Sequence, residues 1–288
     1  MNFEQRFRVP EKGFRLADRD PSDVGGLRKD EAKARRQADL GRLAELQERL
    51  YAERRRTALI VVQGVDASGK DGIVKHVIGA MNPQGLSVAP FKRPSLEELE
   101  HDFLWRVHAA LPARGRVGVF NRSHYEEVLV ARIHPELLAA EGIDPARGQD
   151  PTFWEQRLAD ILAWERHLAR ERTRVVKFFL HLSKEEQRKR FEARARRPDK
   201  QWKFSFEDLR EHRYWDAYQR AYEAALRATS TAQTPWYVIP ADHKWFLRTA
   251  VAAILLHHLS AMDPRFPQPT HEERAEMLAD VAKLRDED

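Results

Sequence analysis

Residues 59–72 read LIVVQGVDASGKDG, an apolar run that passes without a break into a glycine-rich loop. Leu59, Ile60, Val61 and Val62 show no polar alternation, which suits a strand covered on both faces, as in a parallel sheet. Gly64 to Lys70 then fits the pattern GxxxxGK. Between a strand and a helix, that pattern cradles phosphate. Glycines allow the tight turn, inward N–H groups and a helix N-terminus meet the phosphate oxygens, and the lysine neutralises charge. The competing reading is a glycine-rich turn with Lys70 merely exposed, and the strand–loop–helix context weakens it. Ala67, Ser68, Gly69, Lys70 and Asp71 are thus the expected phosphate-binding residues of the loop. Two departures from the pattern are informative. Asp71 stands where a Ser or Thr ordinarily holds Mg2+. Asp66 puts an anion inside a nest built for anions, which is costly unless a cation offsets it. Asp66 is therefore the expected metal ligand.

Working outward, strands and helices alternate. A helix is expected over 70–81, a second strand over 86–91, a helix over 96–110 and a third strand over 117–120. A helix follows from Tyr125, then a loop over 134–150, a long helix over 152–171 and a fourth strand over 175–180. Helices over 183–197, 206–228 and 243–262 enclose a fifth strand at 236–239. Such alternation predicts an α/β fold with a five-stranded parallel sheet covered on both faces. No repeat, low-complexity tract or clear linker divides the chain, so 1–288 is read as one domain. Residues 1–27 are read as an extended arm and 28–56 as an amphipathic helix, carrying Leu40, Leu43, Leu46 and Leu50 at helical spacing. The tail 263–288 is expected to wrap or dock elsewhere.

The third strand runs into Asn121-Arg122-Ser123-His124-Tyr125-Glu126. A polar cluster at the end of such a strand lies at the carboxyl edge of the sheet, where open α/β sheets bind ligands. Arg122 offers a fork for phosphate. Asn121 replaces the Asp that usually ends a metal-supporting strand, so Asp66 gains importance. Glu126 is read either as orienting an acceptor or holding a second metal, or as the partner of Ser123 in a capped helix start. Residues 183–204 hold nine Lys or Arg against four Asp or Glu and form the expected basic lid. Most of these charges fit a solvated face, with Arg188 and Arg194 the candidates for phosphate contact. The aromatics at 214, 215, 218 and 222 are read as core rather than as a base-stacking platform.

Composition bounds the alternatives. The 288 residues include 42% hydrophobic, seven Trp and fourteen Phe, which argues against disorder. The absence of Cys excludes disulfides, thiolate metal sites and a cysteine nucleophile. No apolar run approaches about 18 residues and the N-terminus lacks an apolar signal core, so a cytoplasmic protein with no membrane partner is expected. The net charge of +5 is concentrated in the middle of the chain, because residues 271–288 carry seven acids against three bases. That charge admits a nucleic-acid binder, but such a binder would waste Asp66 inside a phosphate loop, and no nucleic-acid partner is expected.

GVDASGKDG (64–72), FNRSHYEEVLVARIHPE (120–136), LSKEEQRKRF (182–191), DKQWKFSFEDL (199–209) and TPWYVIPADHKW (234–245) together resemble the polyphosphate kinase 2 family, in the family's order. The resemblance implies a three-layer α/β/α P-loop kinase fold with a helical lid. It further implies Mg2+-dependent, reversible phosphoryl transfer between inorganic polyphosphate and nucleotides, with Mn2+ as a substitute. Asp66, Lys70 and Arg122 match the family's loop Asp, loop Lys and post-strand Arg, while Arg188 lies in its basic lid. Asn121, Tyr125 and Glu126 are expected at the nucleotide. Where many members carry Asp and Asn, this chain has Asn121 and Glu126, a form that looks like the subgroup (class III) acting on both AMP and ADP. A homo-oligomer is common in the family, and helix 28–56 is a candidate interface. An ATP-dependent nucleoside monophosphate kinase of the same fold is the alternative activity.

Overall fold

The computed structural model describes residues 1–285. A short helix α1 (Phe3–Phe7) and the long α2 (Lys29–Glu53) precede β1 (Thr57–Gln63) and α3 (Lys70–His76). Next come β2 (Leu86–Pro90), α4 (Leu96–Leu99), α5 (Trp105–Ala109), β3 (Val117–Asn121), α6 (Glu126–Ile133) and α7 (Pro151–Arg170). The chain continues through β4 (Thr173–His181), α8 (Lys184–Arg196), α9 (Phe206–Glu211), α10 (Trp215–Thr229), β5 (Trp236–Pro240), α11 (Lys244–Met262) and α12 (His271–Arg285). The five strands form one parallel sheet in the order β2-β3-β1-β4-β5.

All seven residues of the central strand β1 are buried. Side chains alternate across a strand, and here both faces are apolar. Ala58, Ile60 and Val62 face one core with Phe3, Phe7, Leu43, Leu50 and Phe246, while Leu59 and Val61 face a second core with Tyr125, Trp154, Ile161 and Tyr222. The unbroken run at 59–62 therefore has the cause expected of it.

Several expectations change. The arm 1–27 is part of the core: Phe3, Phe7, Val9, Phe14 and Leu16 are each no more than 3% exposed. Phe7 packs edge-on against Phe246, with ring centroids 5.8 Å apart. Too few turns form there for helical periodicity to show. The helix expected over 96–110 is two short helices, and that over 206–228 is α9, a 3-10 turn at His212–Tyr214 and α10. The break accompanies two tertiary hydrogen bonds, from His134 to Glu211 and between His212 and Gln187.

The apolar stripe of α2 packs within the chain, since buried Leu43 and Leu50 belong to the core that contains α11. By length and composition α11 is apolar enough to cross a membrane, contrary to the sequence reading, but it is the core helix of this face, with twelve buried residues from Phe246 to Met262. Within the described part of the tail, Met277, Leu278 and Val281 of α12 are 60%, 64% and 56% exposed.

Because Phe7 is sealed between Phe3 and Phe246, Phe7→Ala is expected to lower the unfolding free energy by about 3–5 kcal/mol. Urea denaturation reads this as a lower midpoint, and an unchanged midpoint would show that the N-terminal segment is dispensable to the core.

Candidate active site

β1 and β3 are neighbours, with Val62 in register with Asn121. Their carboxyl ends therefore deliver the loop 64–69 and the segment 122–125 side by side. The loop turns through left-handed backbone at Gly64 (φ 153°), Ala67 (φ 63°) and Gly69 (φ 115°). A Cβ on Gly64 would lie 2.7 Å from Ser68 Oγ and 3.0 Å from the Leu180 carbonyl oxygen, so glycine is required there by space as well as by φ. Gly69 caps α3, where a Cβ would lie 3.1 Å from Leu247.

Lys70 opens α3 and folds back under the loop. Its Nζ donates to the Gly64 carbonyl at 2.6 Å and the Val65 carbonyl at 3.1 Å. Burial, helped by the neighbouring Arg122 charge, pushes its pKa down to about 8, with Asp66, Glu126 and Asp71 opposing. Arg122 also adopts left-handed backbone, at φ 63°. That strained turn brings its guanidinium between two carboxylates: Nη2 donates to Asp66 Oδ1 at 2.6 Å and Nη1 to Glu126 Oε2 at 3.1 Å. Glu126 chiefly, and Asp66 with it, overcome the burial of the guanidinium and raise its pKa. Lys70, Asp66, Arg122 and Glu126 thus form one charged cluster at the sheet's carboxyl edge.

The remaining candidates are placed as follows. Asp71 accepts from Asn121 Nδ2 at 3.0 Å and from Lys203 Nζ of the lid at 3.1 Å. Burial opposes its charge, but these bonds outweigh it and lower its pKa. Ser68 is fully buried, and its Oγ has no hydrogen-bond partner among the described residues. Tyr125, expected at the nucleotide, is instead sealed in the core, 0% exposed, with its hydroxyl bonded to Glu165 and Thr229. It follows Arg122 by three residues, so the chain has already turned inward. In the lid, Arg188 is 61% exposed at its side chain and paired with Glu192 of the same helix. Arg194 is held by Asp208 at 2.9 Å.

Arg190 is the lid cation that meets the loop backbone among the described residues. It donates to the carbonyls of Ala67 at 2.9 Å and Ser68 at 3.1 Å, and to those of Ala241 and Asp242. Beside it, Gln187 Nε2 donates to the Asp66 carbonyl at 2.8 Å. Spacing held the signal: Gln187, Arg190 and Arg194 flank Phe191, the apolar residue that marks the inward face of α8. Trp215, Tyr218 and Tyr222 line a small pocket with Asp66, Arg122 and Glu126. Of the four aromatics read as core, Tyr222 is buried, Trp215 and Tyr218 are half-buried and Tyr214 is exposed. The pocket has a volume of about 30 Å3. A larger cavity of about 810 Å3 opens on another face of α10, and none of Asp66, Lys70 or Arg122 lines it.

Comparison with known proteins shows the family. The profile of the polyphosphate kinase 2 family matches residues 26–267. The chain is 48% identical over 237 residues to an ADP-polyphosphate phosphotransferase of Rhodopseudomonas palustris, covering 82% of each protein. It is 42% identical over 273 residues to an AMP/ADP-polyphosphate phosphotransferase of Meiothermus ruber, covering 92% of this chain and 96% of that one. The crystal structure of polyphosphate kinase 2 from Arthrobacter aurescens superposes with a TM-score of 0.88 at 41% identity, covering 97% of each chain. With its parallel sheet, its flanking helices and this extent of similarity, the chain belongs to the polyphosphate kinase 2 family.

Proposed function

We propose that this protein transfers the terminal phosphoryl group of inorganic polyphosphate to nucleoside mono- and diphosphates, converting AMP to ADP and ADP to ATP. The observation that carries this reading is the convergence of Lys70, Asp66 and Arg122 at the carboxyl ends of β1 and β3. The loop N–H groups and Lys70 receive the donor's terminal phosphate. Arg122, oriented by Asp66 and Glu126, meets the oxygens of donor and acceptor as charge spreads over the moving group. Glu126, beside Tyr218 and Tyr222, faces the acceptor. One phosphoanhydride bond breaks and another forms at the acceptor's last phosphate oxygen, leaving polyphosphate one unit shorter. No covalent enzyme intermediate is needed, because positioning and electrostatics carry phosphoryl transfer. The bonds exchanged are alike, so the reaction runs in both directions. Action on both acceptors is supported by Glu126 and by similarity to the Meiothermus ruber enzyme named for AMP and ADP.

The residues fit a Mg2+ ion at Asp66. Among the described residues no three His, Asp or Glu form a metal cage, but Mg2+ ordinarily takes only one or two carboxylates and completes its shell with phosphate and water. Asp66 supplies such a carboxylate, one of whose oxygens is already engaged by a cation, and the orphaned Ser68 Oγ lies in the same loop. When bound, the ion would neutralise charge on the phosphate oxygens.

Purified protein, long-chain polyphosphate, Mg2+ and AMP, without ATP, are expected to yield ADP and then ATP, resolved by anion-exchange chromatography. Product only when ATP is the donor would replace this reading with an ATP-dependent kinase. Lys70→Ala is expected to lower kcat by at least about 100-fold, and wild-type turnover by that variant would contradict the assignment. A lysine loses charge as pH rises, so kcat/KM for polyphosphate should be flat below the Lys70 pKa and fall through about pH 8. The residual activity of Lys70→Arg, whose guanidinium stays charged, should lack that break. A wild-type profile flat to about pH 10, the ordinary lysine range, would contradict the role of burial at Lys70.

A further inference from the structure

The three residues after Arg122 are held more firmly than the catalytic arginine itself. Ser123 is fully buried, and its Oγ accepts from Gln63 Nε2 at 3.2 Å, tying it to the last residue of β1. His124 Nε2 lies 3.3 Å from Glu165 Oε1. The Tyr125 hydroxyl donates to Glu165 Oε1 at 2.7 Å and contacts Thr229 Oγ1 at 2.8 Å. Lys177, from the middle of β4, closes the network: its Nζ bonds to Glu165, to the Tyr125 hydroxyl at 3.1 Å and to the Thr229 carbonyl at 2.8 Å. Glu165 and Lys177 are both 0% exposed at their side chains.

An ion pair sealed this deeply is a poor source of stability. Desolvating two charges offsets most of their attraction, and apolar residues of similar volume often do as well or better. Burial pushes the Lys177 pKa down to about 8 against the pull of Glu165. Burial also opposes the Glu165 charge, although Lys177 and His124 win and lower its pKa. What the pair does supply is direction. α7, β4 and α10 are locked onto two adjacent side chains, and those side chains fix where the backbone goes after its left-handed turn at Arg122.

We infer that Glu165, Lys177 and Tyr125 are positioning residues for phosphoryl transfer: they act through the segment 123–125 to hold Arg122 in the strained turn that aims its guanidinium at the reacting phosphates. The inference rests on the phosphotransferase reading. Loosening the network leaves the phosphate loop and Lys70 intact but lets Arg122 wander, and misplacement of a catalytic group by about 1 Å costs up to about 100-fold. The loss falls on kcat, with KM for polyphosphate little changed.

The test uses the full-length chain with polyphosphate and AMP. Tyr125→Phe, which removes one hydroxyl, is expected to lower kcat roughly 10- to 100-fold while the folded far-ultraviolet signal persists at the assay temperature. In an Arg122→Lys background the same change is expected to cost less than about twofold, because the two act as one unit. A merely structural Tyr125 would cost the same factor in both backgrounds, and that result overturns the inference. If Tyr125→Phe does not fold, the paired change Glu165→Gln with Lys177→Met carries the test, since it leaves no uncompensated buried charge; wild-type kcat in that variant also overturns the inference. Wild-type protein that forms no product ends the phosphotransferase reading itself, whereas wild-type turnover with an unaffected Tyr125→Phe ends only this one.

Discussion

The site depends on one ion pair that spans two strands, Arg122 to Asp66. β1 and β3 are parallel neighbours, so the segments that follow them start from the same edge of the sheet. The loop after β1 carries the acid and the turn after β3 carries the base. Neither conformation is relaxed, because Ala67 and Arg122 both hold left-handed backbone without being glycine. Such strain persists only where the surroundings over-determine it. Here those surroundings are Arg190 and Gln187 on the loop side and the Glu165–Lys177 network on the arginine side.

This arrangement accounts for the uneven use of positive charge. The lid is the most basic part of the chain, yet several of its cations are committed internally: Arg190 to loop carbonyls, Arg194 to Asp208, Lys203 to Asp71, and Arg188 and Lys189 to acids one turn away on α8. The exposed pairs are worth little in stability. Arg190 differs, because it satisfies backbone carbonyls of the loop and of the segment after β5, and it fixes where α8 begins to cover the site. The contacts from Gln187 to the Asp66 carbonyl, from Arg190 to the Ala67 carbonyl and from Lys203 to Asp71 hold α8 and the segment after it against the loop and the start of α3.

The parts of the fold legible in the sequence were those with local causes. Leu59 to Val62 read as a doubly buried strand because both neighbouring layers are apolar. The glycines at 64 and 69 read as a tight turn between strand and helix because their backbone requires them. What escaped had distant causes. Phe3 and Phe7 looked like parts of an unpatterned arm, because their partner Phe246 lies far along the chain. Tyr125 looked like a site residue because it stands in the motif, but its hydroxyl answers Glu165 and Thr229, whose approach no local spacing reveals. Arg188 and Arg190 are equivalent in composition, and only the inward face of α8 separates them.

If Asp66 and Arg122 form the unit on which transfer depends, their substitution should not be additive. The direct measurement is a double-mutant cycle on kcat/KM for polyphosphate-driven AMP phosphorylation, with Asp66→Asn, Arg122→Lys and both together. The double variant is predicted to be little worse than the more damaged single variant, giving a coupling of at least about 1 kcal/mol. Losses that simply multiply would mean that the two residues act independently and that their ion pair does not organise the site.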